Sequence, residues 1–117
     1  LPYTVQNHHT IGAPEIAMMK PTATLINIAR GGIVDDAALA KALQSGKIFA
    51  AGLDVFEGEP QVHPELLKCS NIVLAPHIAS ATEKTRRAMV DLAVENLRAA
   101  LDGKKPPSLI NTEVFKA

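Results

Sequence analysis

Residues 24–28 form a short, almost continuously apolar and β-prone run, Thr-Leu-Ile-Asn-Ile. The run lacks the alternation of polar and apolar residues that a strand with one wet face requires. It therefore predicts a parallel strand covered on both faces. Two further apolar runs at residues 49–55 and 71–75 predict a second and a third strand. Because parallel strands need crossover connections, the segments between these runs have to carry them.

Helical signals occupy the segments around the predicted strands. Pro14 suits the first turn of a short helix that ends near Met19, before Lys20-Pro21. Asp35 is a suitable N-cap, and Gly46 suits the C′ position of a helix between them. That helix has an apolar stripe at helical spacing, formed by Leu39, Ala42 and Leu43.

The longest predicted helix follows the third strand. Ser80-Ala81-Thr82-Glu83 has the spacing of a capping box, which predicts a helix from Ala81 to about Leu101, ended by Gly103. With a short helical turn near residues 64–67, the order becomes β-α-β-(α)-β-α and predicts a parallel sheet with right-handed crossovers. We expect one partial nucleotide-binding domain over residues 1–102 and a tail over residues 103–117.

Composition excludes several classes of protein. Twelve basic residues balance twelve acidic ones, so no overall charge favours nucleic acid or an anionic membrane. No apolar run approaches the roughly 20 residues that span a bilayer. Cys69 is the single cysteine, which excludes an internal disulfide and favours a reducing compartment such as the cytoplasm. The chain begins at Leu1, and Leu1-Pro2 resembles the end of a strand, so we expect a piece of a longer protein that is inactive alone.

Charged and titratable side chains follow each of the three predicted strands. Arg30 follows the first, Asp54 ends the second with Glu59 in the loop beyond it, and His77 follows the third. Ligands of parallel sheets bind outside the carboxyl ends of the strands. Guanidinium holds a carboxylate by two parallel hydrogen bonds, and a histidine beside a carboxylate can give or take a proton near neutral pH. Together these groups predict a site that reduces a 2-oxo acid or oxidises a 2-hydroxy acid.

Each of these residues, taken alone, has a simpler interpretation. Arg30 can form a surface salt bridge after a turn, His77 can be a loop histidine with satisfied hydrogen bonds, and Glu59 can be a solvated loop residue. The adjacent His8 and His9 suggest a metal, but no cysteine or carboxylate lies at ligand spacing near them. We therefore predict no metal site and expect solvated or capping roles for both histidines.

Three motifs carry a family resemblance. Residues 27–32 (NIARGG), 52–60 (GLDVFEGEP) and 76–82 (PHIASAT) resemble, in order and spacing, the signatures of the D-isomer-specific 2-hydroxyacid dehydrogenases. The glyoxylate/hydroxypyruvate reductase and glycerate dehydrogenase branch is the most similar. The resemblance extends from Leu1 to about Asn111. It implies that the chain is the C-terminal half of a Rossmann-type, doubly wound nucleotide-binding domain.

The resemblance also implies roles for individual residues. Arg30 would bind the substrate carboxylate and carbonyl, His77 would be the general acid/base, and Glu59, rather than Glu57, would be its carboxylate partner. The residues expected near NAD or NADP are Thr4, Ile28, Ala29, Arg30, Asp54, His77 and Ala79. Asp54 would contact the nicotinamide carboxamide. Ala79 departs from the family, because many members have glycine there.

The implied activity is hydride transfer between a nicotinamide cofactor and a small 2-oxo or 2-hydroxy acid by a homodimer. The Gly-x-Gly-x-x-Gly turn that holds the cofactor pyrophosphate in this family does not occur in the sequence. An alternative is a nucleotide-binding regulator without turnover, because transcriptional corepressors of the same fold resemble these enzymes.

Overall fold

The computed structural model describes residues 1–115 and divides the chain into two compact units, Leu1–Ala79 and Ser80–Ala117. Lys116 and Ala117, which belong to the predicted tail, lie outside the described residues. The predicted domain boundary after residue 102 stays a prediction. No helix of the described part combines the length and apolar character needed to cross a membrane.

The first unit contains the parallel sheet that the sequence predicts. Helix α1 (Ala13–Met18) precedes strand β1 (Thr24–Asn27), helix α2 (Asp36–Gln44) follows it, and strands β2 (Ala50–Leu53) and β3 (Ile72–Leu74) complete the sheet. The strands pair in parallel in the order β1-β2-β3. Each strand is shorter than its apolar run, because the flanking residues belong to the loops.

Helix α2 covers one face of this sheet, and its boundaries follow from local chemistry. The Asp35 side chain accepts a hydrogen bond from the amide of Ala38, which caps the helix at its start. Gly46 adopts a φ of 69° after the helix, as a C′ glycine does. The predicted apolar stripe is buried, and the core around it includes Ile16, Leu25, Leu39, Leu43, Ile48, Leu53 and Leu66.

The opposite face of the sheet is open, which corrects the prediction of strands covered on both faces. Ile26 is 63% exposed and Val73 is 71% exposed. The apolar runs do form strands, but a run of sequence cannot specify which layers are present to cover them.

The connection from β2 to β3 contains a short 3₁₀ helix, Leu66–Lys68, near the predicted helical turn.

The second unit contains the long helix α3 (Glu83–Leu101). Its N-cap is Thr82, whose hydroxyl accepts a hydrogen bond from the amide of Thr85, so the predicted capping box at Ser80 is wrong. The same Ser/Thr chemistry recurs two residues later, and spacing alone could not choose between the two candidates. Gly103 has a φ of 68° beyond the end of the helix, as the sequence predicts.

Candidate active site

Arg30 lies in the loop after β1, and this loop is fixed by the buried side chain of Asn27. The Asn27 amide oxygen accepts from the amide of Ala29 at 3.0 Å, and its nitrogen donates to the carbonyl oxygen of Arg30 at 3.2 Å. Asn27 is only 5% exposed, so these bonds are shielded from water. The sequence analysis gave Asn27 no separate role, although an amide inside an apolar run was a signal for one.

The two glycines after Arg30 meet two different requirements. Gly32 has a φ of 77°, in the left-handed region that favours glycine. Gly31 is needed for close approach, since a Cβ there would overlap the backbone carbonyl of Phe56. The loop after β1 therefore packs directly on the loop after β2, which carries Glu59.

Glu59 and His77 form a hydrogen-bonded pair. Nδ1 of His77 lies 2.9 Å from Oε2 of Glu59, while Oε1 of Glu59 accepts from the amide of Phe56 at 3.0 Å. The bond from His77 and then that from Phe56 hold the pKa of Glu59 below its ordinary value. Glu59 therefore orients the imidazole through Nδ1 and leaves Nε2 as the nitrogen available for proton exchange.

Asp54 holds the backbone on the C-terminal side of His77. Its two carboxylate oxygens accept from the amides of Ile78 and Ala79 at 2.7 and 2.8 Å. Burial alone would raise the pKa of Asp54, but these two amides outweigh it and keep that pKa below its ordinary value. His77 itself has a φ of 56°, a conformation uncommon outside glycine. The loop is thus fixed on one side by Asp54 and on the other by Glu59.

Arg30, Glu59 and His77 line one cleft of about 430 Å³ at the carboxyl ends of the strands. Tyr3, His8 and Glu57 also line it, and the sequence analysis assigned none of them to the site. Nη1 of Arg30 donates to the carbonyl oxygen of Ala29 at 2.6 Å. None of the ion pairs found within residues 1–115 involves Arg30, so its charge faces the cleft without a carboxylate partner there.

Glu59 and His77 also border a second, larger pocket of about 600 Å³. Its walls are mainly apolar and include Phe56, Val62, Leu67 and Leu74. This pocket offers no arginine or lysine. A carboxylate-bearing ligand is therefore better matched by the cleft that contains Arg30.

The residues predicted near the cofactor are divided between several places. Ile28, Asp54 and Ala79 line a shallow apolar groove on the open face of the sheet, together with Ile26 and Ile78. Residues 77–79 connect this groove to the cleft, because His77 lines the cleft and Ala79 lines the groove. Ala29 lies in the loop after β1, between Ile28, which lines the groove, and Arg30, which lines the cleft. Thr4 lines neither depression and precedes the 3₁₀ helix Val5–Asn7.

The fold and the site define an α/β domain whose carboxyl-edge cleft combines a cation with an oriented histidine. A model of the family described as "D-isomer specific 2-hydroxyacid dehydrogenase, NAD binding domain" matches residues 1–79. The chain belongs to this family. The parallel sheet and the family resemblance predicted from sequence are thereby confirmed.

Several proteins of similar sequence are named as glyoxylate or glyoxylate/hydroxypyruvate reductases. The chain is 52% identical to a glyoxylate reductase of Thermococcus gammatolerans, over 99% of this chain and 35% of the relative. It is 51% identical to glyoxylate/hydroxypyruvate reductase B of Pectobacterium atrosepticum, over 99% of this chain and 37% of the relative. The chain thus spans about a third of the length of these proteins.

A solved structure gives the corresponding spatial match. It is the NADPH-dependent glyoxylate/hydroxypyruvate reductase of Sinorhizobium meliloti in complex with NADP and malonate, which superposes with a TM-score of 0.85 at 42% identity. The match covers all of this chain and 37% of that protein.

Proposed function

We propose that this chain contributes the catalytic half of the nucleotide-binding domain to a nicotinamide-dependent reductase of small 2-oxo acids. The observation that carries the proposal is the cleft in which Arg30 faces the hydrogen-bonded pair of His77 and Glu59. The relatives named as glyoxylate and glyoxylate/hydroxypyruvate reductases support glyoxylate and hydroxypyruvate as the first substrates to test. The reverse reaction oxidises the corresponding 2-hydroxy acid, which is the D-isomer where its carbon 2 is chiral.

The proposed roles follow from the chemistry of each side chain. The Arg30 guanidinium binds the substrate carboxylate through two parallel hydrogen bonds and so fixes the plane of the adjacent carbonyl. Protonated His77 donates its Nε2 proton to the carbonyl oxygen as that oxygen gains negative charge, while Glu59 stabilises the imidazolium. When bound, the reduced nicotinamide supplies the hydride that adds to the carbonyl carbon. The product is the 2-hydroxy acid, and His77 is reprotonated from solvent.

The apolar groove fits one end of the proposed cofactor, NAD or NADP. Ile28, Ile78 and Ala79 offer a flat apolar surface beside the cleft, which suits one face of a nicotinamide ring. Both carboxylate oxygens of Asp54 accept hydrogen bonds from backbone amides. Each oxygen still has a second lone pair, which can accept the predicted hydrogen bond from the carboxamide. The roles of Thr4 and Ala29 in cofactor binding remain part of the proposal.

A homodimer and a cytoplasmic location complete the proposal. Apolar side chains exposed along α3, including Met89 and Leu97, support self-association. The cytoplasmic location rests on the presence of a single cysteine, Cys69, in the sequence. Light scattering at increasing protein concentration tests the dimer, and a persistent monomer contradicts it. Cell fractionation tests the location.

The activity is tested by NADH and NADPH oxidation with a panel of 2-oxo acids, using the intact protein. We expect turnover of glyoxylate or hydroxypyruvate that His77→Gln abolishes while nucleotide binding persists. Failure of every 2-oxo acid, combined with nucleotide-dependent dimerisation, would instead favour the regulator of the same fold.

A further inference from the structure

Three side chains that have no role in the proposed reaction bring metal-ligating atoms together. Nε2 of His9 lies 2.9 Å from Oε1 of Glu57, and Nε2 of His8 lies 3.9 Å from the same oxygen. One ligand atom from each residue lies within 4.8 Å of the other two. The sequence analysis found no carboxylate near the histidines because Glu57 is 48 residues away from His9 along the chain.

Both imidazoles are oriented with Nε2 toward Glu57, because their other ring nitrogens face oxygen atoms. Nδ1 of His8 lies 3.2 Å from the Tyr3 hydroxyl, and Nδ1 of His9 lies 3.6 Å from Oδ2 of Asp35. Metal-binding histidines usually have such an oxygen partner at the second nitrogen, which fixes the ring and its tautomer. The Tyr3 hydroxyl is such a partner for His8, whereas the 3.6 Å between His9 and Asp35 is too long for a direct hydrogen bond. In both rings Nε2 is the nitrogen near Glu57 and therefore the candidate ligand.

The backbone holds this cluster in place. The amide of His9 donates to the carbonyl oxygen of Gly32 at 2.7 Å, and the amide of Glu57 donates to Oδ2 of Asp36 at 3.0 Å. The two imidazole rings stack with centroids 3.7 Å apart. Their side chains and that of Glu57 are 31% to 42% exposed, so an ion and water can reach them.

We propose that Nε2 of His8, Nε2 of His9 and the Glu57 carboxylate form a binding site for Zn²⁺ or a similar divalent transition metal ion. In tetrahedral zinc sites with bonds of about 2.0 Å, neighbouring ligand atoms are about 3.3 Å apart. The observed distances of 2.9 and 3.9 Å to Glu57 bracket this value. Because the two rings stack at an interplanar angle of 24°, one imidazole has to rotate out of the stack before both Nε2 lone pairs can meet one ion. Two imidazoles favour such ions over Mg²⁺ or Ca²⁺, which prefer oxygen ligands.

Three protein ligands leave a coordination position open. His8 and Glu57 also line the cleft that contains Arg30, so the bound ion would lie at the edge of that cleft. The ion would add positive charge there. Water fills the fourth position in the proposed site, as in other three-ligand zinc sites.

The test is metal binding by the intact, untagged protein after treatment with a chelator. Equilibrium dialysis against Zn²⁺ measures stoichiometry and affinity, and the visible absorption of added Co²⁺ reports coordination.

The ligand variants are His8→Gln, His9→Asn and Glu57→Gln. Asparagine suits position 9 because the His9 φ of 53° lies in the left-handed region that it tolerates. The matched control is His63→Gln, since the His63 ring bonds the amide of Glu65 outside this cluster.

We expect one Zn²⁺ per chain, with affinity lowered at least tenfold in each ligand variant and unchanged in His63→Gln. His8→Gln is decisive even if another variant unfolds, because the His8 side chain is 42% exposed and its ring contacts, to Tyr3 and His9, lie outside the hydrophobic core. No stoichiometric binding by the unmodified protein would overturn the proposal. Equal affinity of His8→Gln and His63→Gln would overturn it as well.

Discussion

Nδ1 of His77 lies 2.9 Å from Oε2 of Glu59, although the two residues are 18 positions apart in the chain. The bond joins the loop after β2 to the loop after β3 and aligns the imidazole within the cleft. Because Glu59 also accepts the Phe56 amide, its carboxylate cannot rotate freely around the histidine. The pair therefore has the preorganisation that proton transfer requires.

Glu59→Gln tests the charge of this pair. Glutamine matches glutamate in size and can still accept a hydrogen bond from Nδ1, but it cannot stabilise the imidazolium by charge. We expect kcat/KM to fall by about 10²-fold or more, mostly through kcat, because general acid/base catalysis is worth about that much. Steady-state kinetics across pH provide the measurement, with Glu65→Gln as the carboxylate control, because Glu65 bonds Lys68 and Gln44 outside the cleft. Equal losses in the two variants would remove the special role of Glu59.

Arg30→Ala tests the binding of the substrate carboxylate. We expect kcat/KM for glyoxylate to fall by about 10²- to 10³-fold, which corresponds to a loss of roughly 3 to 4 kcal/mol for a charge-assisted, forked contact. Arg30→Lys should recover only part of this loss, because an ammonium group restores the charge but not the fork. The measurement is steady-state kinetics of both variants. Near-normal turnover by Arg30→Ala would contradict the assigned role.

Asn27→Ala tests the support of the Arg30 loop. The substitution removes the hydrogen bonds to the Ala29 amide and the Arg30 carbonyl and leaves buried polar groups unpaired. We expect a loss of about 1 to 3 kcal/mol in the free energy of unfolding. Urea denaturation measures it. A raised KM for the 2-oxo acid should accompany the loss, whereas an unchanged unfolding midpoint would show that the amide does not hold the loop.

Gly31→Ala tests the packing of the first two loops. The added methyl group would overlap the Phe56 carbonyl, and we expect a destabilisation of about 1 to 3 kcal/mol or more. Gly58→Ala is the matched control, because the nearest atom to a Cβ there is the Gln61 carbonyl oxygen at 4.0 Å. Thermal unfolding of both variants gives the comparison. Similar melting temperatures of the two variants would show that the loop accommodates the methyl group without a loss of stability.

Asp54 predicts a specific pH dependence of stability. Its pKa in the folded state lies below the ordinary value of 3.8. The carboxylate therefore stabilises the fold fully above that ordinary value, and this contribution is lost as the pH falls through the lower, folded-state pKa.

We expect the stability advantage of the unmodified protein over Asp54→Asn to shrink as the pH falls from 5 to 3. Urea unfolding of both proteins at several pH values measures this difference. Carboxylates distant from position 54 titrate alike in both proteins and cancel in this difference, whereas Glu59, whose pKa the Asp54 charge raises, adds a smaller term. A difference that stays constant with pH would contradict the lowered pKa.

The order of elements and the position of each strand could be predicted locally. The apolar runs, Asp35 as a cap and Gly46 after the helix each act over a few residues, so the sequence shows them directly. The cap of α3 was misplaced at Ser80 because Thr82 has equivalent chemistry two residues later. The open face of the sheet could not be predicted, because covering a strand depends on layers distant in sequence.

By itself, the sequence determined the parallel α/β architecture, the family and the location of Arg30, Glu59 and His77 at strand ends. Hydrophobic periodicity and turn chemistry indicate the strands and helices, since they act between near neighbours, and the family follows from the resemblance of three motifs. Only the tertiary structure decided that Asp54 bonds the amides after His77 and that Glu57 reaches His9. Hydrogen bonds across tens of residues depend on how the loops pack, and no local pattern encodes that packing.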